Sequence, residues 1–242
     1  MKNKFGVILI KPQLGENIGA SARILKNFEL KNLLITSPRD GWPNVKAKAT
    51  SVEAYDILKR TKVLNSTIAA IDKFDIIFSF TGRKRDVNKK HISMSEFLKL
   101  IKKIKNKKIG LMFGPEASGL SNYDLSFSNY LVQIPSSSKF KSLNLSHSVS
   151  IVCYEIFKLK KLKLLNQPSF TKKIGKKGKL TSVLKLLHFY LEKKNFFKPP
   201  EKKNSMITNI NNLFYRMEAN DKELRILASL IGSLAKNKKK HN

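Results

Sequence analysis

Residues 109–120 run Ile109-Gly110-Leu111-Met112-Phe113-Gly114-Pro115-Glu116-Ala117-Ser118-Gly119-Leu120, and the fold is decided by how this stretch is read. Ile109–Phe113 carries no polar side chain, as expected of a strand buried on both faces in a parallel sheet. Glycines then flank a single acid, Glu116. In open α/β sheets, ligands gather at the carboxyl ends of strands, where such loops meet helix N-termini. The loop is not a nucleoside-triphosphate cradle, because Leu120 stands where a P-loop requires Lys. No G-x-G-x-x-G run occurs either, so a dinucleotide site has no support.

Further strands are predicted over Phe5–Ile10, Asn32–Thr36, Asp75–Phe80 and Tyr130–Ile134. Helical patterns alternate with them. One covers Ile18–Phe28, after a Gly-Glu-Asn turn. In another, Ser93 and Glu96 make a capping pair ahead of Phe97, Leu98, Ile101 and Ile104. Leu145–Leu159 closes the series. This alternation predicts an α/β domain with a mostly parallel sheet over residues 1–160. Two more polar loops follow strands. Residues 12–23 bring Asn17, Ser21 and Arg23 to a helix start, where Asn17 could simply be the cap. A cation in a first turn opposes the helix dipole, so Arg23 fits a purely structural role less well. Residues 134–147 end in Ser142-Leu143-Asn144-Leu145, with Asn144 fitting a cap for the next helix.

Composition changes after residue 160. Pro168, Gly175, Gly178 and many lysines make residues 161–179 an expected exposed basic linker. Beyond it, Leu180–Lys193, Ser205–Met217 and Asp221–Ala235 are amphipathic. They form an expected helical extension over residues 180–242, ending in a frayed tail, Lys236–Asn242. The net charge is +31. Such a field draws polyanions, but Lys and Asn also rise together in chains from AT-rich genomes. Charge alone therefore assigns no RNA partner. Residues 161–242 hold 20 basic and 5 acidic side chains against 28 and 12 in residues 1–160, nearly the same excess on half the length. Cys153 is the only cysteine, which excludes intrachain disulfides and fits a reducing cytoplasm. His91, His147, His188 and His241 lack ligand spacing, so no metal site is expected. No apolar run approaches the roughly 20 residues that span a bilayer, and the first residues show no secretory leader.

Together the three loops resemble, in order and spacing, the signature motifs of the SPOUT RNA 2′-O-methyltransferases. Asn17–Arg23 matches the first motif, Phe113–Glu116 with Gly119-Leu120 the second, and Ser142–Leu145 the third. Similarity to the TrmJ group of that superfamily continues through Thr81-Gly82-Arg83, Phe196–Lys202 and Asn212–Arg216, and so covers nearly the whole chain. Pro115 departs from relatives that often carry Arg before the acid. The resemblance implies a parallel α/β sheet whose C-terminal segment threads a trefoil knot, and a homodimer that completes each active site. It implies S-adenosylmethionine bound by Phe80, Thr81, Gly82, Gly114, Ile134, Ser142, Leu143 and Asn144. The target it implies is a tRNA ribose, at nucleotide 32 of the anticodon loop. Catalysis falls to Arg23, with Asn17, Glu116, Ser142 and Asn144 positioning it, the ribose and the cofactor. A guanidinium keeps its proton in proteins, so Arg23 is read as orienting a phosphate and stabilising developing alkoxide charge. No metal is required, because the sulfonium already activates the methyl group. Alternatives are a methyltransferase for ribosomal RNA or another tRNA position, and a catalytically silent RNA binder. A basic membrane-surface protein is disfavoured for want of an amphipathic anchor with an aromatic face. Deleting residues 161–242 is expected to weaken RNA binding more than cofactor binding.

Overall fold

The apolar runs become the interior of one all-parallel sheet. In chain order the elements are β1 (Phe5–Ile10), α1 (Gly15–Asn27), β2 (Asn32–Thr36), α2 (Val45–Ser51), α3 (Tyr55–Arg60), β3 (Lys62–Leu64), α4 (Thr67–Ile71), β4 (Ile76–Phe80) and β5 (Lys90–Ser93). There follow α5 (Met94–Lys103), β6 (Ile109–Phe113), α6 (Asn122–Ser126), β7 (Tyr130–Gln133), α7 (Leu145–Lys161), α8 (Lys177–Lys193), α9 (Lys203–Arg216) and α10 (Asp221–Ala235). These come from a computed structural model that describes residues 4–82, 88–161 and 174–235. Strand order is β3-β2-β1-β6-β4-β7-β5, and every pairing is parallel. Val7 stands opposite Leu33 on one side and Leu111 on the other. The chain runs outward from β1 through β2 to β3, then crosses to β4 on the far side of β6. The resulting switch point lies at β1 and β6, where ligands enter open sheets.

Alternate residues along each strand feed two cores. Val7, Leu9, Phe78, Leu111, Phe113 and Val132 face Ile18, Ala22 and Leu25 of α1, Phe97 of α5, and Val149, Val152 and Cys153 of α7. Ile8, Ile10, Ile77, Met112 and Leu131 face the opposite way, toward Ile71 of α4, Leu125 of α6, Leu180 and Val183 of α8, Tyr215 of α9 and Leu224 of α10. The C-terminal helices therefore join α4 and α6 in one of the sheet's two covering layers. A buried pair of lysines fastens α9. Lys89 donates from Nζ to the carbonyls of Ser126 (2.6 Å), Ser128 (2.9 Å) and Asn212 (3.3 Å). The Tyr215 ring lies 5.7 Å from the Lys89 ammonium and 5.1 Å from that of Lys177. Arg216 completes the clasp by donating to the backbone and side-chain oxygens of Asn88. Burial pushes Lys89 down to about 6, helped by the charges of Lys177 and Arg216. Burial likewise pushes Lys177 down to about 7.

Some expectations shift. The first helix starts at Gly15, not Ile18, so Arg23 lies mid-helix and the dipole argument made for it does not apply. Residues 174–179 are folded and partly buried: Ile174 is 4% accessible and α8 begins at Lys177, with Lys176 and Lys179 exposed. The rest of the expected linker, the basic tail from Lys236, and Arg83 lie outside the described residues. Residues 83–87 of the connection from β4 to β5 are likewise outside. Among the described residues, no helix is long and apolar enough to cross a membrane.

Candidate active site

The site is assembled at the carboxyl ends of β1, β4, β6 and β7. Helix α1 starts right after β1, and its N-cap residue Leu14 makes no side-chain cap bond. Glu116, from the loop after β6, holds the turn that leads into the helix. The Gln13 amide donates to Oε2 at 2.7 Å, the Leu14 amide to Oε1 at 3.2 Å, and the Asn17 side-chain amide to Oε1 at 2.7 Å. A carboxylate at a helix N-terminus also gains from the dipole. Gln13 closes the loop from the other side, its Oε1 accepting from the Ala117 amide at 3.0 Å.

Asn17 carries the connection onward. It is 6% exposed, and its Oδ1 accepts from Asn144 Nδ2 at 3.1 Å. Asn144 in turn caps α7, its Oδ1 accepting from the amides of Ser146 (2.8 Å) and His147 (3.3 Å). Glu116, Asn17 and Asn144 thus form one line of hydrogen bonds joining all three polar loops. Asn17 is a bridge between loops; it does not cap its own helix.

Beside this line opens a cleft enclosing about 790 Å³, part of it solvent. Phe80, Thr81, Gly82, Gly114, Glu116, Ile134, Ser142 and Leu143 line it. The Phe80 ring stacks on Phe113 at 4.8 Å and meets Phe97 edge-on at 5.4 Å, which makes a rigid aromatic wall. Two glycines let backbones approach. A Cβ on Gly82 would come within 2.8 Å of the Lys141 carbonyl oxygen, and one on Gly114 would collide with the Leu120 amide. Ser142 lies on the cleft wall, while Asn144 stands just outside it in the hydrogen-bonded line.

Arg23 is elsewhere. It is exposed on α1, nearly two turns beyond Asn17, and is not among the residues of the cleft. Sequence reasoning overlooked the roles of Gln13, Lys141 and Ser148. Lys141 adjoins the third motif, whereas nothing local marked Gln13 as a loop tie. Among the described residues, no group of three His, Cys, Asp or Glu is placed to hold a metal ion.

Residues 4–154 match the SpoU rRNA Methylase family. The chain belongs to that family. This SpoU methylase is 33% identical to the tRNA (cytidine-2′-O-)-methyltransferase TrmJ of Methanocaldococcus jannaschii, over 62% of its own length and 66% of that protein. The match thus spans just under two thirds of that relative. The tRNA (cytidine/uridine/adenosine-2′-O-)-methyltransferase TrmJ of Pseudomonas aeruginosa is 26% identical, over 96% of this chain and 93% of the other. Among solved structures, TrmJ from Z. mobilis ZM4 superposes with a TM-score of 0.87 at 29% identity, covering 96% of this SpoU methylase and 99% of that chain. The likeness therefore includes helices α8–α10.

Proposed function

We propose that this SpoU methylase transfers a methyl group from S-adenosylmethionine to a ribose 2′-hydroxyl of tRNA, at nucleotide 32 of the anticodon loop. The observation that carries this is the Glu116–Asn17–Asn144 line beside a cleft walled by the same loops. The full-length TrmJ relatives support tRNA as the class of substrate, and the charge of +31 suits a polyanion.

The cleft fits the methyl donor. Phe80, Ile134 and Leu143 offer flat and aliphatic walls for a purine, and Gly82 and Gly114 bring backbone donors and acceptors close. Thr81, Ser142 and Asn144 add polar groups around it. Bound there, S-adenosylmethionine supplies a methyl carbon activated by sulfonium charge. The protein must hold the attacking oxygen in line and ease loss of its proton. Glu116 and Asn17 fix the start of α1, while Asn144 fixes α7 and the Ser142 backbone leading into it. Arg23 orients a substrate phosphate and stabilises negative charge growing on the 2′-oxygen. Because Arg23 lies away from its own cleft, it serves the cleft of a second copy. The face of α7 beside α1, with Ile151 36% and Tyr154 49% exposed, suits that homodimer contact. The knotted arrangement, the contact of α8–α10 with RNA and a cytoplasmic location belong to the same proposal.

A second possibility follows from the family's description, which names ribosomal RNA. Labelled-methyl transfer to separated tRNA and ribosomal RNA, followed by mapping of the modified nucleotide, decides between them. Label at tRNA position 32 supports the proposal, and label in ribosomal RNA alone supports the other enzyme. No label in either fraction would leave a silent RNA binder.

A further inference from the structure

A second cleft, enclosing about 630 Å³ of partly open space, lies at the outer side of α2 and α3. Trp42, Pro43, Val45, Lys48, Tyr55 and Lys59 line it. Trp42 is the chain's one tryptophan. It is half-buried, packed against the core on one side and facing this cleft on the other. Tyr55 is 39% exposed, and two ammonium groups converge on its ring, Lys48 at 5.2 Å and Lys59 at 5.1 Å from the centroid. No carboxylate lines the cleft. Three nearby acids are engaged elsewhere: Asp56 with Lys26 (3.1 Å) and Arg60 (2.5 Å), Glu16 with Lys46 (3.0 Å), and Asp40 with Arg39 (2.8 Å). Exposed aromatic rings beside cations lacking an acid partner complement a ligand that is flat and negatively charged. An unstacked nucleotide is both.

The cleft is tied to the active site. The Arg39 amide donates to the Pro12 carbonyl at 3.0 Å. Asn44 caps α2 through the Ala47 amide at 3.1 Å and presses against Gly15, where any Cβ would strike its side-chain oxygen. Residues 39–44 therefore rest on the same turn that Glu116 holds through Gln13 and Leu14. The two clefts flank the N-terminus of α1.

We propose that this second cleft is a stacking subsite for an unpaired nucleobase of the substrate RNA, flanking the nucleotide that is methylated. Trp42 and Tyr55 form the platform, and Lys48 and Lys59 meet the adjoining phosphates. The proposal rests on the RNA-methylase function given above. It goes beyond that function in assigning a site for a neighbouring base.

Trp42 reports on its own site, since all tryptophan emission comes from it. Titration of the full chain with tRNA transcript should quench that emission, in step with binding measured by filter retention, and added salt should reverse both. Tyr55→Leu should raise the Kd for tRNA about 5- to 160-fold, the loss expected for one base–aromatic stack, with S-adenosylmethionine affinity kept. A melting curve verifies folding. The double variant Lys48→Ala, Lys59→Ala, at solvent-exposed positions, should flatten the slope of log K against log salt by about 1.5. Saturating RNA binding with unaltered emission overturns the proposal, as does a Kd in Tyr55→Leu within about twofold of the parent. So does an emission change on simple dilution without RNA, which would mark the cleft as a contact between copies. Labelled-methyl transfer judges the underlying function separately. Transfer with a silent Trp42 sinks only the subsite, whereas quenching by RNA that is never methylated sinks only the methylase function.

Discussion

Replacing Glu116 by Ala removes the acceptor for three donors at once: the amides of Gln13 and Leu14 and the side chain of Asn17. Hydrogen bonds to a charged group contribute about 1.5–3 kcal/mol each, and the helix dipole adds about 0.3–1 kcal/mol. The sum is not reached, because the Leu14 bond is long at 3.2 Å and exposed, so water can replace it. A net loss of about 2–4 kcal/mol remains. In a chain of this size each kcal/mol moves Tm by about 2–4 °C, so a fall of about 4–16 °C is expected. Glu116→Gln keeps an acceptor and loses the charge, and should fall between parent and Ala. Differential scanning calorimetry measures all three proteins, with S-adenosylmethionine titrated into each. Affinity should drop at least tenfold in the Ala variant, because the cleft wall 114–120 loses its anchor. An Ala variant melting within about 2 °C of the parent would refute the capping role. A Gln variant as unstable as Ala would show that charge alone matters.

Arg23→Ala should abolish methyl transfer while leaving S-adenosylmethionine affinity within about threefold. Mixing it with subunits disabled by Gly82→Val should restore partial activity, and no rescue would contradict action across a dimer. Lys177 and Lys89, pushed down by burial to about 7 and about 6, bind protons less readily in the folded chain than their ordinary value near 10.5 allows. The unfolded chain takes up more protons, so stability rises with pH from about 7 to 10, by on the order of 1 kcal/mol per pH unit for each group. Lys177→Met should remove its share of that slope in urea titrations, and an unchanged slope would count against its burial. Truncation after residue 161 should give an aggregating fragment, because it strips the cover from Ile8, Ile10, Met112 and Leu131. A monodisperse fragment that binds S-adenosylmethionine would show that α8–α10 are dispensable for the fold.

The central strands were legible because burial on both faces leaves uninterrupted apolar runs such as Val7–Ile10 and Ile109–Phe113. The edge strands were not. Lys62–Leu64 is three residues long, and Lys90–Ser93 opens with a lysine and a histidine, so neither leaves a hydrophobic signature. Loop chemistry was also legible, since glycines, an acid and asparagines directly after strands stand out. Their division of labour was not: Asn17 alone reads as a cap, and only its distant neighbours Glu116 and Asn144 turn it into a bridge. The extension showed its amphipathic helices, while the surface they cover depends on tertiary contacts that no local pattern encodes. Lysine-rich composition likewise disguised residues 174–179, where Lys177 is buried whole.

With all seven strands pointing one way, the molecule has a working rim and an idle rim. Loops at the working rim handle chemistry, so substitutions there trade directly against turnover. Lys31, Lys73 and Lys105 sit in exposed turns leading into strands at the idle rim. Dyes or surface tethers attached there can follow tumbling, pairing or immobilisation of the protein while its reactive side stays untouched.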